Sequence, residues 1–137
     1  MTLTDTGPLI ALIDAGQGVA HQRCVAARSS LSAPLVTTWP CLTEAMYLLG
    51  NLRGWRGQSA LWDFLEQDTL RVHTATEGER QRMRALMEQY RDTPMDLADA
   101  SLVAAAETRN LRRIFTLDSD FYVYRLHGTH AFEVVPC

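Results

Sequence analysis

At 137 residues and 47% apolar content, the chain is long enough to bury about two-thirds of its unfolded surface as one domain. No run approaches the roughly 18 apolar residues of a membrane span, and a net charge of −3 argues against a partner recruited by bulk positive charge. All 13 basic residues are arginine; an arginine-biased genome explains this, and so does bidentate phosphate contact through guanidinium forks.

The N-terminus has no basic region ahead of an apolar stretch, and Asp5 interrupts it early, so no signal peptide is expected. Cys24, Cys41 and Cys137 are odd in number and widely spaced. That pattern disfavours a disulfide framework or a thiolate metal site and points to a reducing, cytoplasmic setting.

In chain order, "MTLTD" reads as a short strand and "PLIALIDAG" as a helix closed by Gly16. "VAHQRCVAARSSL" spaces Val19, Cys24, Ala27 and Leu31 as a helix ending near Ser30, and "APLVTT" is a compact buried strand. "WPCLTEAMYLLGNL" places Pro40 in a first helical turn and ends near Gly50 or Gly54; "GQSALWDFLEQD" continues as another helix. "LRVHTA" is a strand, "TEGERQRMRALMEQYRD" and "DLADASLVAAAETRN" are helices, and "RRIFTLD" and "FEVVP" are the last strands. Short strands alternating with helices predict an α/β domain with a parallel sheet, and one domain over 1–137 suffices. The absence of alternation in "PLVTT" and "RIFTL" fits strands covered on both faces.

In such a sheet, working groups gather beyond the carboxyl ends of the strands. Asp5 ends the first strand and Asp118 ends "RRIFTLD"; Glu44 lies one turn into the helix after "APLVTT", and Asp99 sits in the first turn of its helix. Four carboxylates sharing one rim repel unless a cation or protons intervene. An all-oxygen set without His or Cys suits Mg²⁺ or Mn²⁺. Other roles are open to each. Asp5 can hold the Gly7 amide in a turn, and Glu44 can pair with Arg53 or face solvent. Asp96, three residues before Asp99, has the better claim as helix cap, and Asp120 is an alternative or supporting acid beside Asp118. His127 and His130 have no third soft ligand nearby in sequence, and His21 and His73 read as surface or satisfied residues.

Asp-Thr-Gly at 5–7 is also the tripeptide of aspartic proteases, but that chemistry needs two such turns facing each other in a β-rich fold. A phosphatase with a second acid two residues after a nucleophilic aspartate is disfavoured by Gly7.

Taken together, "LTDTGPLIAL", "CLTEAMYLL", "LADASLVAAAE" and "IFTLDSDF" make the chain resemble a PIN domain over essentially its whole length, and within that family the VapC-type ribonuclease toxins of bacterial toxin–antitoxin pairs. The resemblance implies a three-layer α/β/α fold with a mainly parallel central sheet. Asp5, Glu44, Asp99 and Asp118 match its acidic positions, Asp96 matches a frequent extra acid, and Thr6 and Thr116 match small polar positions lining the site. Two departures are visible: Gly7 and Pro8 make a tight start to the first helix, and the last motif offers both Asp118 and Asp120. The implied activity is Mg²⁺- or Mn²⁺-dependent hydrolysis of single-stranded RNA, by an enzyme expected to form a homodimer and to be inhibited by a small antitoxin.

Arg53, Arg56, Arg112 and Arg113 are candidates for RNA phosphate contacts, with Arg80, Arg82, Arg84, Arg91 and Arg109 as further basic positions. Trp55, between Arg53 and Arg56, either stacks a base or packs inward at a helix corner. Met46, Leu49, Trp55, Trp62 and Leu65 supply apolar surface for the core and in part for a second subunit or an antitoxin helix. Rival readings are a housekeeping RNA-processing or DNA-acting nuclease of the same fold without an antitoxin, and a non-catalytic RNA-binding domain.

Overall fold

The computed structural model describes residues 1–136; Cys137 lies outside them. The regular elements are β1 (Thr2–Thr4), α1 (Thr6–Ile13), α2 (Val19–Arg28), β2 (Leu35–Thr38), α3 (Trp39–Arg53), α4 (Trp55–Glu66), β3 (Leu70–His73), α5 (Glu77–Gln89), α6 (Leu97–Arg109), β4 (Arg113–Phe115), β5 (Arg125–Leu126), β6 (His130–Ala131) and β7 (Glu133–Val135). Each strand and helix expected from the sequence is present. The antiparallel β5–β6 pair and two single 3₁₀ turns, at Ala15–Gln17 and Ser119–Tyr122, are additional.

The main sheet runs β3-β2-β1-β4-β7, with every pairing parallel. From β1 the chain steps outward through β2 to β3, then returns to place β4 on the other side of β1. Crossovers of one hand put the returning helices on the opposite face. The core divides accordingly. Leu9, Leu42, Leu49, Leu61 and Phe115 join α1–α4 to one face, whereas Leu3, Leu86, Leu102, Ile114 and Phe121 join α5 and α6 to the other. Ile114 and Phe115, adjacent in β4, enter opposite cores, as the two-residue period of a strand requires. The result is a three-layer α/β/α architecture.

Local chemistry sets the helix boundaries. Pro40 occupies the first turn of α3, and Gly54, at φ 60°, ends that helix before α4 begins at once. Asn110 closes α6 in the left-handed conformation. Gly57 lets α4 approach α3 closely: a Cβ there would stand 3.0 Å from the Leu49 carbonyl oxygen. Residues Ala98 through Ala106 of α6 are buried all round, and their small side chains let the helix lie flush on sheet and α5. A helix held on all sides is a rigid mount for the acid at its start.

Candidate functional site

The ends of β1 and β4 lie side by side, with Thr4 in register with Phe115, at the place where the strand order turns back. A crevice at such a switch point is where an open α/β sheet binds its ligands. Here it is a cleft of about 320 Å³ lined by Asp5, Glu44, Asp96, Asp99 and Asp118, with Ile10, Leu48 and Leu117 among its apolar walls. Among the described residues, the lining contains no arginine, lysine or histidine.

Each carboxylate is aimed by its own local structure. Asp5 caps α1: its Oδ1 accepts the Thr6 amide at 2.7 Å, and its Oδ2 accepts the Thr116 hydroxyl at 2.7 Å. The Thr6 amide, not that of Gly7, closes this turn. Thr116 in turn receives the Asp118 amide at 3.0 Å, so one hydroxyl joins two motifs at opposite ends of the chain. Asp96 and Asp99 form a reciprocal capping box, Asp96 Oδ1 accepting the Asp99 amide at 2.8 Å and Asp99 Oδ2 accepting the Asp96 amide at 3.4 Å. Tyr124 donates its hydroxyl to Asp99 Oδ2 at 3.1 Å. That tyrosine is wedged edge-on against Tyr90 and Phe121, ring centroids 5.1 Å away in both cases. Asp118 caps the 3₁₀ turn, accepting the Asp120 amide at 2.9 Å, and Asp120 is not among the cleft-lining residues. Glu44 projects from α3 as an exposed group, and Arg53 pairs with Asp14 instead.

The electrostatics follow from burial and like charge. Burial pushes the Asp5 carboxyl up, partly opposed by its bonds to Thr116 and Thr6, and the charges of Asp118 and Asp96 push it further. Burial and the Asp96 charge raise Asp99 to about 7, against the bonds from the Asp96 amide and Tyr124. Glu44 is raised by partial burial and then by Asp96 and Asp5. Beneath them, burial and the nearby Asp5 push the Cys41 thiol up to about 12, so it is protonated at neutral pH.

A divalent cation suits this donor set: oxygens only, mutually repelling, with no positive side chain in the lining to offset them. The carboxylates ring the cleft and do not close on one point. Among the described residues no three Asp, Glu, His or Cys side chains form a group that could hold an ion as they stand.

The candidate phosphate-binding arginines lie elsewhere. Arg53 is bound to the buried Asp14 at 2.6 Å, and with Arg56 it lines a separate pocket against Ile13 and Ala60. Arg113 pairs with Glu133 at 2.9 Å, and Arg112 sits beside His127 and His130. Arg82 pairs with Glu107 at 2.9 Å, and Arg109 donates to His73 at 2.8 Å. Trp55 is 68% exposed, which rules out the inward packing allowed by sequence. Gly54 turns the chain so that Trp55 starts α4 on its outer side. Sequence reasoning missed Tyr124, which aims Asp99, as well as Trp39 and Tyr47 beside the cleft. The tyrosine lacks a motif of its own. Trp39, directly after a strand that leads to an acidic helix, was a usable signal.

The fold and site define a parallel α/β/α domain with an all-oxygen set of acids around the cleft at its switch point. The PIN domain family matches residues 2–126, and the chain belongs to that family. Among solved structures, the Mycobacterium tuberculosis VapC20, a sarcin–ricin-loop-cleaving toxin, superposes with a TM-score of 0.81 at 20% identity, covering 90% of this chain and 94% of that one. A Klebsiella pneumoniae toxin–antitoxin complex gives 0.66 at 22% identity, covering 88% and 90%. FitAcB from Neisseria gonorrhoeae gives 0.65 at 19% identity, covering 87% and 88%. At these identities the likeness is one of fold. No curated protein matches the chain.

Proposed function

We propose that the protein is a divalent-metal-dependent endoribonuclease acting on single-stranded RNA, the toxin of a toxin–antitoxin pair. The observation that carries this is the gathering of Asp5, Glu44, Asp96, Asp99 and Asp118 around one cleft that no cationic side chain lines. A non-catalytic binding domain gains nothing from such an arrangement, because clustered carboxylates repel a phosphate backbone.

Asp5, Glu44, Asp99 and Asp118 would hold Mg²⁺ or Mn²⁺, with Asp96 and Asp120 supporting them. When bound, the ion supplies an acidified water and charge relief for a phosphodiester. The chain's own residues do the rest. Thr116 and Thr6 fix both oxygens of Asp5, and the capping box and Tyr124 fix Asp99. Ile10, Leu48 and Leu117 supply the apolar part of the cleft wall. Asp99, raised to about 7 by burial and the Asp96 charge, would give up its proton on holding a cation.

A solved toxin–antitoxin complex of the same fold supports a protein antitoxin as partner, and a homodimer is the assembly we propose with it. Among the described residues no helix is long and apolar enough to cross a membrane, in keeping with an enzyme of the cytoplasm, as are the free thiols of Cys24 and Cys41. Two cores packed on the two faces of one sheet support a single domain over 1–137. Arg56 and Arg112, which carry no ion pair among the described residues, are the better placed of the four arginines to meet phosphates.

The test is cleavage of matched single-stranded RNA and DNA oligonucleotides with Mg²⁺, with Mn²⁺ and with EDTA. RNA cut only in the presence of metal is the expected result; cutting that EDTA does not stop excludes the assignment.

A further inference from the structure

We propose that Arg112, His127 and His130 form a second site, built for a phosphate group, at the opposite end of α6 from the acid cleft. It extends the reading of Arg112 as a phosphate contact and stands whether or not the chain cuts RNA.

A pocket of about 220 Å³ is lined by Ala106, Asn110, Arg112, Leu126, His127 and His130. Asp99 lies at the start of α6 and Ala106 and Asn110 at its end, which sets pocket and cleft about 10 to 16 Å apart along the helix. The three basic side chains come from separate places: Arg112 from the loop before β4, His127 from the turn between β5 and β6, and His130 from β6 itself. All three are exposed and so open to a solute. Arg112 carries no ion pair among the described residues, and the His127 ring has no hydrogen-bond partner among them. His130 shares a hydrogen bond between its Nδ1 and the Thr129 hydroxyl at 2.9 Å, leaving Nε2 for a ligand. A guanidinium fork with imidazole nitrogens beside it suits a tetrahedral oxyanion.

The surrounding carboxylates are already engaged. Glu107 takes Arg82 at 2.9 and 3.1 Å and the His127 amide at 2.6 Å, and Glu133 pairs with Arg113. The carbonyl end of α6 is closed as well, since the Ala106 oxygen accepts the amides of Asn110 and Leu111. A metal ion is the unsuitable occupant: the guanidinium repels it, and among the described residues no three ligating side chains form a group. His127 also sits where histidine is a costly choice. It and Gly128 have φ of 50° and 76° in a turn closed by the Thr129 amide on the Leu126 carbonyl at 3.0 Å. Two central residues at positive φ favour Asn-Gly or Gly-Gly. An imidazole kept there at a conformational cost is a sign of use.

The experiment follows the imidazole NMR signals of the four histidines of the full chain at pH 6.5 in EDTA, at constant ionic strength, as inorganic phosphate is added. His127 and His130 should move to saturation, whereas His73, buried, and His21, bonded to the Ala11 carbonyl, should stay. Arg112→Ala should weaken binding about tenfold and Arg112→Lys less. His127→Asn suits the positive φ, so it should weaken binding about threefold with the melting temperature kept or raised. A single-stranded RNA oligonucleotide is the second arm. RNA that moves the same two signals and is displaced by phosphate makes the RNA backbone the source; RNA that leaves them in place makes the source a free phosphate or small phosphate ester. Phosphate that moves neither signal, or binds Arg112→Ala and His127→Asn as it binds wild type, overturns the site. If the variants then also melt lower, the basic cluster only complements the end of α6. Phosphate binding by a chain that cuts no RNA overturns the nuclease assignment alone.

Discussion

Thr116 donates its hydroxyl to Asp5 across 111 residues of sequence, at 2.7 Å, and accepts the amide of Asp118 on its other side. The first and last acidic motifs are thereby set by one atom, which itself rides on the pairing of β1 with β4. Thr116→Val removes that atom while keeping the side chain's shape. The Asp5 carboxyl, already raised by burial, then rises further. Mg²⁺ affinity at pH 7 should fall about tenfold and recover in part at higher pH. Calorimetric titration of wild type and variant at pH 7 and pH 8.5 checks this; equal affinities at both pH values would show that the bond is incidental.

The metal-free protein should be more stable in mild acid than at neutrality. Asp99 holds its proton to about pH 7 in the folded chain and only to about pH 4 in the unfolded one. Between those values the folded state binds the extra proton, so stability falls as pH rises. Asp5 and Glu44 are raised as well and act in the same direction. Asp14, Asp68 and Glu107 are lowered; their contribution is present above the ordinary carboxylate range and lost below it, so it does not cancel this slope. Melting temperatures in EDTA should decline from pH 5 to pH 7.5, and Asp99→Asn should flatten the decline. A flat or rising wild-type profile would contradict the charge balance described for the cleft.

His73 is a test of structure as against chemistry. Its Nδ1 accepts from Arg109 at 2.8 Å, so its Nε2 carries the proton and donates to Glu79 at 2.7 Å, tying β3, α5 and α6 together. Glu79 is buried, and its second oxygen has no hydrogen-bond partner among the described residues. His73→Ala should cost about 2 kcal/mol in urea unfolding, because it strands a buried carboxylate. The cleavage rate per folded molecule should stay at the wild-type value. Loss of activity at full folding would place His73 in the chemistry.

Much of this was legible in the residues. "LVTT" and "RIFTLD" announce buried strands through their lack of alternation, and Asn110 and Pro40 mark real helix boundaries. The acids could be placed because parallel strands have only one carboxyl edge, and Asp96 could be assigned as a cap from its spacing to Asp99. Pairing across distance was less readable. Nothing local says that Arg53 will take Asp14, 39 residues away, in preference to Glu44, or that Tyr124 will reach Asp99. The β5–β6 pair consists of two-residue strands, too short for a period to show. Trp55 allowed two readings from sequence, and only the structure could remove the inward one: Gly54 directs the ring outward.

The central claim is that the acid cleft is a metal-dependent phosphodiesterase centre, and Asp5→Asn addresses it most directly. The substitution keeps an acceptor for the Thr6 amide, replaces the acceptor of the Thr116 hydroxyl by an amide that can donate to it, and removes the charge. Mg²⁺ titration and single-turnover RNA cleavage by wild type and variant should show ion binding abolished and the rate reduced by more than about 100-fold, with the melting temperature in EDTA maintained or raised. A variant that binds Mg²⁺ and cuts RNA as wild type does would contradict the account.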